Sequence, residues 1–254
     1  MPYNPPLSDH PSYTGRHALD TLIHLQGTAV HQIIVIIHVL LFVYWLGGDL
    51  GVFYSSNFVV RPDLSPETRA TAAKIMLDLD QIPRICMSLM LTVGGILTAF
   101  IGVPHPWYQW IGILLLGPIW FFCVMYLHFR HGSGAYASVA KFDMFIRWAV
   151  VIGIPISLVI HWESNRLADY PWVAFKLLLF AFLVFCGIMV RGKIGPFFST
   201  LLKCRRGENP TPEENEAQRR SLAQVRVWVF MIWAGVFIQG FVGIWNRSGI
   251  VYGG

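Results

Sequence analysis

One stretch constrains this chain more than any other: HQIIVIIHVLLFVYWLGGDLGVFYSSNFVV, from His31 to Val60. It is apolar throughout and holds a single acid, Asp49. At ~1.5 Å rise per residue a helix of this length reaches ~45 Å, more than the ~30 Å hydrocarbon core of a bilayer. Composition carries the same message for the whole chain. Of 254 residues 55% are hydrophobic and 13% are charged, about half the charged share of a soluble domain. The expected fold is all-α, a polytopic membrane bundle.

Read in order, the chain divides into a polar N-terminal arm, 1–27, and a transmembrane domain, 28–254, with six spans at about 31–60, 84–101, 107–129, 142–162, 172–190 and 222–245. The arm opens with four prolines by position 11, which disfavours helix and predicts an extended segment. His10, His17, His24, His31 and His38 recur every seven residues. On a continuous helix such positions drift only ~20° and share a face. The spacing reads either as coincidence or as a His24/His31/His38 ladder leading to a site. After the first span, Ser65 and Pro66 suit an N-cap and first helical position. Ala72, Ile75, Met76 and Leu79 then predict a short amphipathic surface helix ahead of the second span. GVPHP predicts a tight turn, HGSGAYAS a flexible connection, and the stretch before the sixth span a charged loop.

Lys and Arg are distributed unevenly between the connections. Those after spans one, three and five, with their flanks, hold Arg61, Arg69, Lys74, Arg84, Arg130, Lys141, Arg147, Arg191, Lys193, Lys203, Arg205, Arg206, Arg219, Arg220 and Arg226; the other side holds Arg16, Arg166 and Arg247. The positive-inside rule then puts both termini outside, the periplasm if the membrane is a bacterial inner membrane. The net charge of +5 follows from topology, and no nucleic-acid partner is expected. The four cysteines form no CxxC pair and no disulfide framework.

Ionisable groups at membrane depth tend to face a cavity, a partner or a ligand. With this topology His38, His161 and Lys176 fall at one level near the outer boundary, with His31 just above. Two imidazoles from different spans suit a b-type haem, so His38 and His161 are the expected iron ligands, His31 the reserve, and Lys176 a contact for a haem propionate. His31 and His38, on one helix, cannot both be axial ligands of one iron. Copper or zinc on His31, His38 and His161 is an alternative, as is plain interhelical hydrogen bonding. Asp49 lies deeper, with Arg84 or Arg147 as its expected partner. Gly47, Gly51 and Ser55, and Gly94, Thr98 and Gly102, recur every four residues and predict close helix packing, or room for a flat macrocycle.

IHVLLFVYWLGG, with His38, Trp45 and Gly48, resembles the first helix of the bacterial membrane protoporphyrinogen oxidase family and that of the copper-resistance D-like membrane domain. PWVAFKLLLFAFLVF, with Lys176, is similar to a later helix of the oxidase family, and KIMLDLDQIPRICMSLML to the entry into its second. The resemblance implies a haem-binding helical bundle in which His38 and Lys176 matter. Where that family carries a histidine late in its lysine-bearing helix, this chain has Cys186 and Gly187. The functional expectation is a membrane haem b protein, an oxidoreductase or cytochrome b-like subunit of one, moving electrons between quinone and a periplasmic or membrane partner. A protoporphyrinogen oxidase relative, a copper-uptake protein and a cofactor-free accessory subunit of a larger complex are the alternatives.

Overall fold

The computed structural model describes the backbone of residues 11–130, 132–160, 167 and 169–252, and side chains within 27–246 of that set. Among the described residues there are seven helices and no strand: α1 (Pro11–Val59), α2 (Pro66–Phe100), α3 (Trp107–Phe129), α4 (Tyr136–Ile160), α5 (Pro171–Lys193), α6 (Gly195–Arg205) and α7 (Pro212–Tyr252). All but α6 are long and apolar enough to cross a membrane. Every backbone polar group of such a helix is satisfied within its own segment, which is why the bilayer admits it.

α1 and α2 form a long antiparallel hairpin. Its contacts run in reversed order along the two helices: His38 lies against Gly94, Gly48 against Pro83 and Ile82, and Gly51 against Leu79. A Cβ at Gly48 would lie 2.7 Å from the Pro83 ring, and one at Gly51 2.9 Å from Leu79. These glycines therefore set how closely the helices approach. Gly47, expected in the same role, has open space beside it.

From α2 the bundle continues as a closed ring, α1–α2–α3–α4–α5–α7 and back to α1. Thr92 ties α2 to α3 by bonding to the backbone of α3. Its hydroxyl donates to the Ile113 carbonyl at 2.6 Å and accepts from the Gly117 N–H at 3.1 Å, two groups one helical turn apart. α7 runs antiparallel to α5, with Gly235 on Leu183 and the Gln239 side chain donating to the Lys176 carbonyl at 2.7 Å. It also closes onto α1 through Gly240 on Phe42 and Phe53 on Trp233, ring centroids 5.3 Å apart. Trp45, Cys86, Trp120, Val150, Val184 and Val236, one from each of the six, share a single core.

Several elements differ from expectation. Residues 11–27 are helical and run straight into the first span, because Pro11 occupies the helix start, where a missing N–H costs nothing; residues 1–10 lie outside the described residues. The amphipathic segment and second span are one helix, with Pro83 inside it. Pro83 removes one ladder bond, but its ring fills the notch left by Gly48, so packing offsets the loss. The side chains that α2 buries in this segment are Arg69, Ala73 and Met76, while Ile75 is exposed. Ser65 does cap α2, accepting from the Thr68 N–H at 3.3 Å. α4 begins at Tyr136, inside the expected flexible connection.

α6 was expected to be loop. It packs Phe197 and Leu201 against Val59, Ala73, Met76 and Leu222, making a second small core at one end of the ring. Cys204 is buried there too, and all four cysteines are free. Arg69 fastens this end. Its Nε donates to the Val59 carbonyl at 2.9 Å and its Nη2 to Gln218 Oε1 at 2.7 Å, while Gln218 donates to the Phe197 carbonyl at 3.3 Å. One guanidinium thus joins the end of α1 to α6 and α7, its charge opposite the negative end of α1. Arg69→Ala should lower stability by about 3 kcal/mol, read as an earlier unfolding midpoint of the detergent-purified protein in added denaturing detergent.

Candidate functional site

The ring encloses two polar regions, separated along α1 by an aromatic pair. Trp45 meets Phe180 edge-on across the interior, centroids 6.3 Å apart. His38 lies on one side of that pair and Asp49 on the other, about 16 Å apart by helix rise.

The region around His38 is sparse. The imidazole sits against Gly94 of α2, where a Cβ would lie 3.4 Å from the ring. Its Nδ1 is buried with no hydrogen-bond partner. Lys176 of α5 lies within electrostatic reach of the ring. The ammonium also lies 6.0 Å from the Trp172 ring centroid and beside Gly243 of α7, where a Cβ would come within 3.0 Å of Nζ. The small residues Gly94 and Gly243 thus give way to two chemically active side chains. An imidazole nitrogen without a partner is a free ligand for a metal, and the adjacent cation is suited to a carboxylate.

Of the four residues expected here, His38 and Lys176 lie within electrostatic reach of each other. His31 is two turns further along α1, about 10 Å by rise, with its ring against Phe100 at 5.0 Å; it does not join His38. His161 lies outside the described residues, as do Glu163 and Arg166. Among the described residues no three His, Cys, Asp or Glu side chains are grouped to hold a metal ion.

The region beyond Trp45 is dense with charge. Asp143 of α4 is fully buried and accepts four hydrogen bonds: from Trp120 Nε1 of α3 at 2.9 Å, from Arg147 Nε and Nη2 at 3.0 and 3.2 Å, and from Arg191 Nη1 of α5 at 3.0 Å. Arg147 is 2% exposed, with its guanidinium 5.3 Å from the Trp120 ring centroid and Nη1 3.7 Å from the Met87 sulfur. Arg191 is 29% exposed and leads from the cluster to the surface. On α2, Arg84 pairs with Asp80 one turn before it. Both stand within electrostatic reach of Asp49.

Arg147 therefore does not pair with Asp49, as had been expected. It is taken by Asp143, four residues earlier on its own helix, because i,i+4 side chains lie on one face. Arg84 remains near Asp49 but is engaged by Asp80 in the same way. Asp80, Asp143 and Arg191 were not singled out from the sequence. A signal was present: Asp80-Gln-Ile-Pro-Arg84 and Asp143-Met-Phe-Ile-Arg147 both place an acid four residues before an arginine in apolar surroundings. Trp120, which carries no sequence signal of its own, is fully buried and hydrogen-bonded.

Asp143→Ala leaves two guanidiniums without their carboxylate and should destabilise the protein by about 3–5 kcal/mol. Asp143→Ala combined with Arg147→Met should cost less than Asp143→Ala alone, since the deeper charge goes with its partner; unfolding midpoints of the three proteins check this. No family model matches the chain, and neither a curated protein nor a solved structure is detectably similar to it.

Proposed function

We propose that this chain is a multi-pass b-type haem protein of a bacterial inner membrane, with both termini outside, and that it passes electrons between quinone and a periplasmic or membrane partner. The observation that carries the reading is the unpartnered, buried Nδ1 of His38, turned into the bundle interior beside Lys176. A buried polar atom left without a hydrogen bond is costly. Here it stands where small residues on two neighbouring helices hold back their bulk.

In this reading His38 and His161, which follows α4 in the chain, would hold the haem iron. Lys176 holds a propionate by charge. Bis-imidazole ligation and burial set the potential, and the haem supplies the electron-carrying chemistry. The orientation rests on the basic residues gathered where α1, α3 and α5 end and α2, α4 and α7 begin. That His38 and Lys176, the pair that the resemblance to protoporphyrinogen oxidases implicates, lie within electrostatic reach of each other favours an oxidase of that kind as the second reading.

Protein purified from haem-replete cells should show a Soret band and bound iron. His38→Ala should lose both. Lys176→Met should keep the iron but release haem more readily to an apoprotein acceptor. Absence of the band and of iron from the unaltered protein overturns the haem reading. Growth of a strain lacking protoporphyrinogen oxidase, restored by this chain and not by His38→Ala, would select the second reading.

A further inference from the structure

Asp49 stands about two-thirds of the way along the apolar span Gly27–Val59, yet none of the nearby cations forms an ion pair with it. Among the described residues it has no ion pair within 4.0 Å: Arg84 is bound to Asp80, and Arg147 and Arg191 to Asp143. Packing forces it into this company. Gly48 on Pro83 and Gly51 on Leu79 press this turn of α1 onto the turn of α2 that carries Asp80 and Arg84. From α7, Trp233 leans on Phe53, one turn further along α1. Its indole Nε1, buried without a hydrogen-bond partner, faces the Asp49 carboxyl. The groups around Asp49 are then Asp80, Arg84 and the Cys86 thiol on α2, and the Trp233 indole on α7.

A carboxylate at membrane depth without an ion pair is expensive, and a second acid, Asp80, adds repulsion that the Arg84 it shares offsets only in part. Protonation removes both penalties. The Asp80 and Arg84 side chains beside it are 27% and 39% exposed and reach the molecular surface. We propose that Asp49 is a proton-exchange site inside the membrane domain, taking up and releasing a proton past Asp80 and Arg84 at the end of the bundle where Arg191 emerges. The ligand is the proton itself, and Trp233 is the donor that steadies the carboxylate when the proton has left. Asp143, by contrast, accepts four hydrogen bonds from its neighbours and has no such role. A group of this kind lets a membrane protein carry a proton partway across the bilayer, whether the coupled event is electron transfer or transport. The assignment is independent of the haem.

Infrared difference spectra of the full chain in lipid, recorded while the buffer is switched from H2O to D2O, test it. The expected result is a protonated-carboxyl C=O band that shifts on deuteration, is missing in Asp49→Asn, and moves in frequency in Asp49→Glu. Asp80→Asn should retain the band and slow its shift several-fold. No band in the native protein, a band unchanged in both Asp49 variants, or one insensitive to D2O overturns the site. An unchanged exchange rate in Asp80→Asn overturns the route. Should Asp49→Asn fail to fold, judged by circular dichroism and elution as a single species, the frequency in Asp49→Glu decides.

Discussion

A carboxylate taken fully out of water organises one half of this bundle. Asp143 could not exist as an isolated ion between apolar helices, since desolvation alone would cost several kcal/mol. It is tolerated because two guanidiniums and an indole N–H supply four hydrogen bonds and because they come from three helices. The requirement works in both directions. Arg147, almost wholly buried, needs Asp143 as much as Asp143 needs it. The positions of α3, α4 and α5 relative to one another are fixed by geometry that apolar packing alone would leave free to slide, since lipid and leucine are nearly equivalent surroundings.

The other half of the ring follows a different logic. Around His38 and Lys176 the neighbouring helices contribute glycine and little polar chemistry. Small residues at helix crossings are usually a packing device, and Gly48, Gly51 and Gly235 serve that purpose against Pro83, Leu79 and Leu183. Gly94 and Gly243 differ in facing an imidazole and an ammonium. A polar pair with few partners on one side of Trp45 and Phe180, and a nearly saturated ionic network on the other, is an arrangement with direction. It suits a protein that handles charge differently at its two faces.

Much of this was legible in the residues. Six spans, the cap at Ser65 and the turn at GVPHP follow from local chemistry: hydropathy over a helical length, an oxygen placed to accept an N–H, and prolines where a ladder cannot continue. The start of α3 at Trp107 and its end at Phe129 match the expected boundaries. Errors arose where a local rule met a tertiary contact. A short surface helix and a span starting at 84 were expected, yet α2 runs unbroken through Pro83, whose ring α1 receives at Gly48. The stretch 195–205 reads as charged loop, yet Phe197 and Leu201 find a core to enter.

Charge pairing shows the same division. That Asp49 and Asp143 lie in apolar helices, along with Arg84 and Arg147, is written in the one-dimensional pattern. Which cation serves which acid is not, because an ion pair depends on distances of a few ångströms between helices that are far apart in the chain. Spacing of four residues joins Asp143 to Arg147 within α4, but only the folded ring delivers Arg191 from α5 and Trp120 from α3. By itself the sequence determined how many helices cross the membrane and which of them carry ionisable groups, since the bilayer punishes any other placement. The tertiary structure alone decided that Asp143 would be satisfied, that Asp49 would be left without an ion pair, and that Lys176 would come within electrostatic reach of His38, because burial and partnership are properties of neighbours.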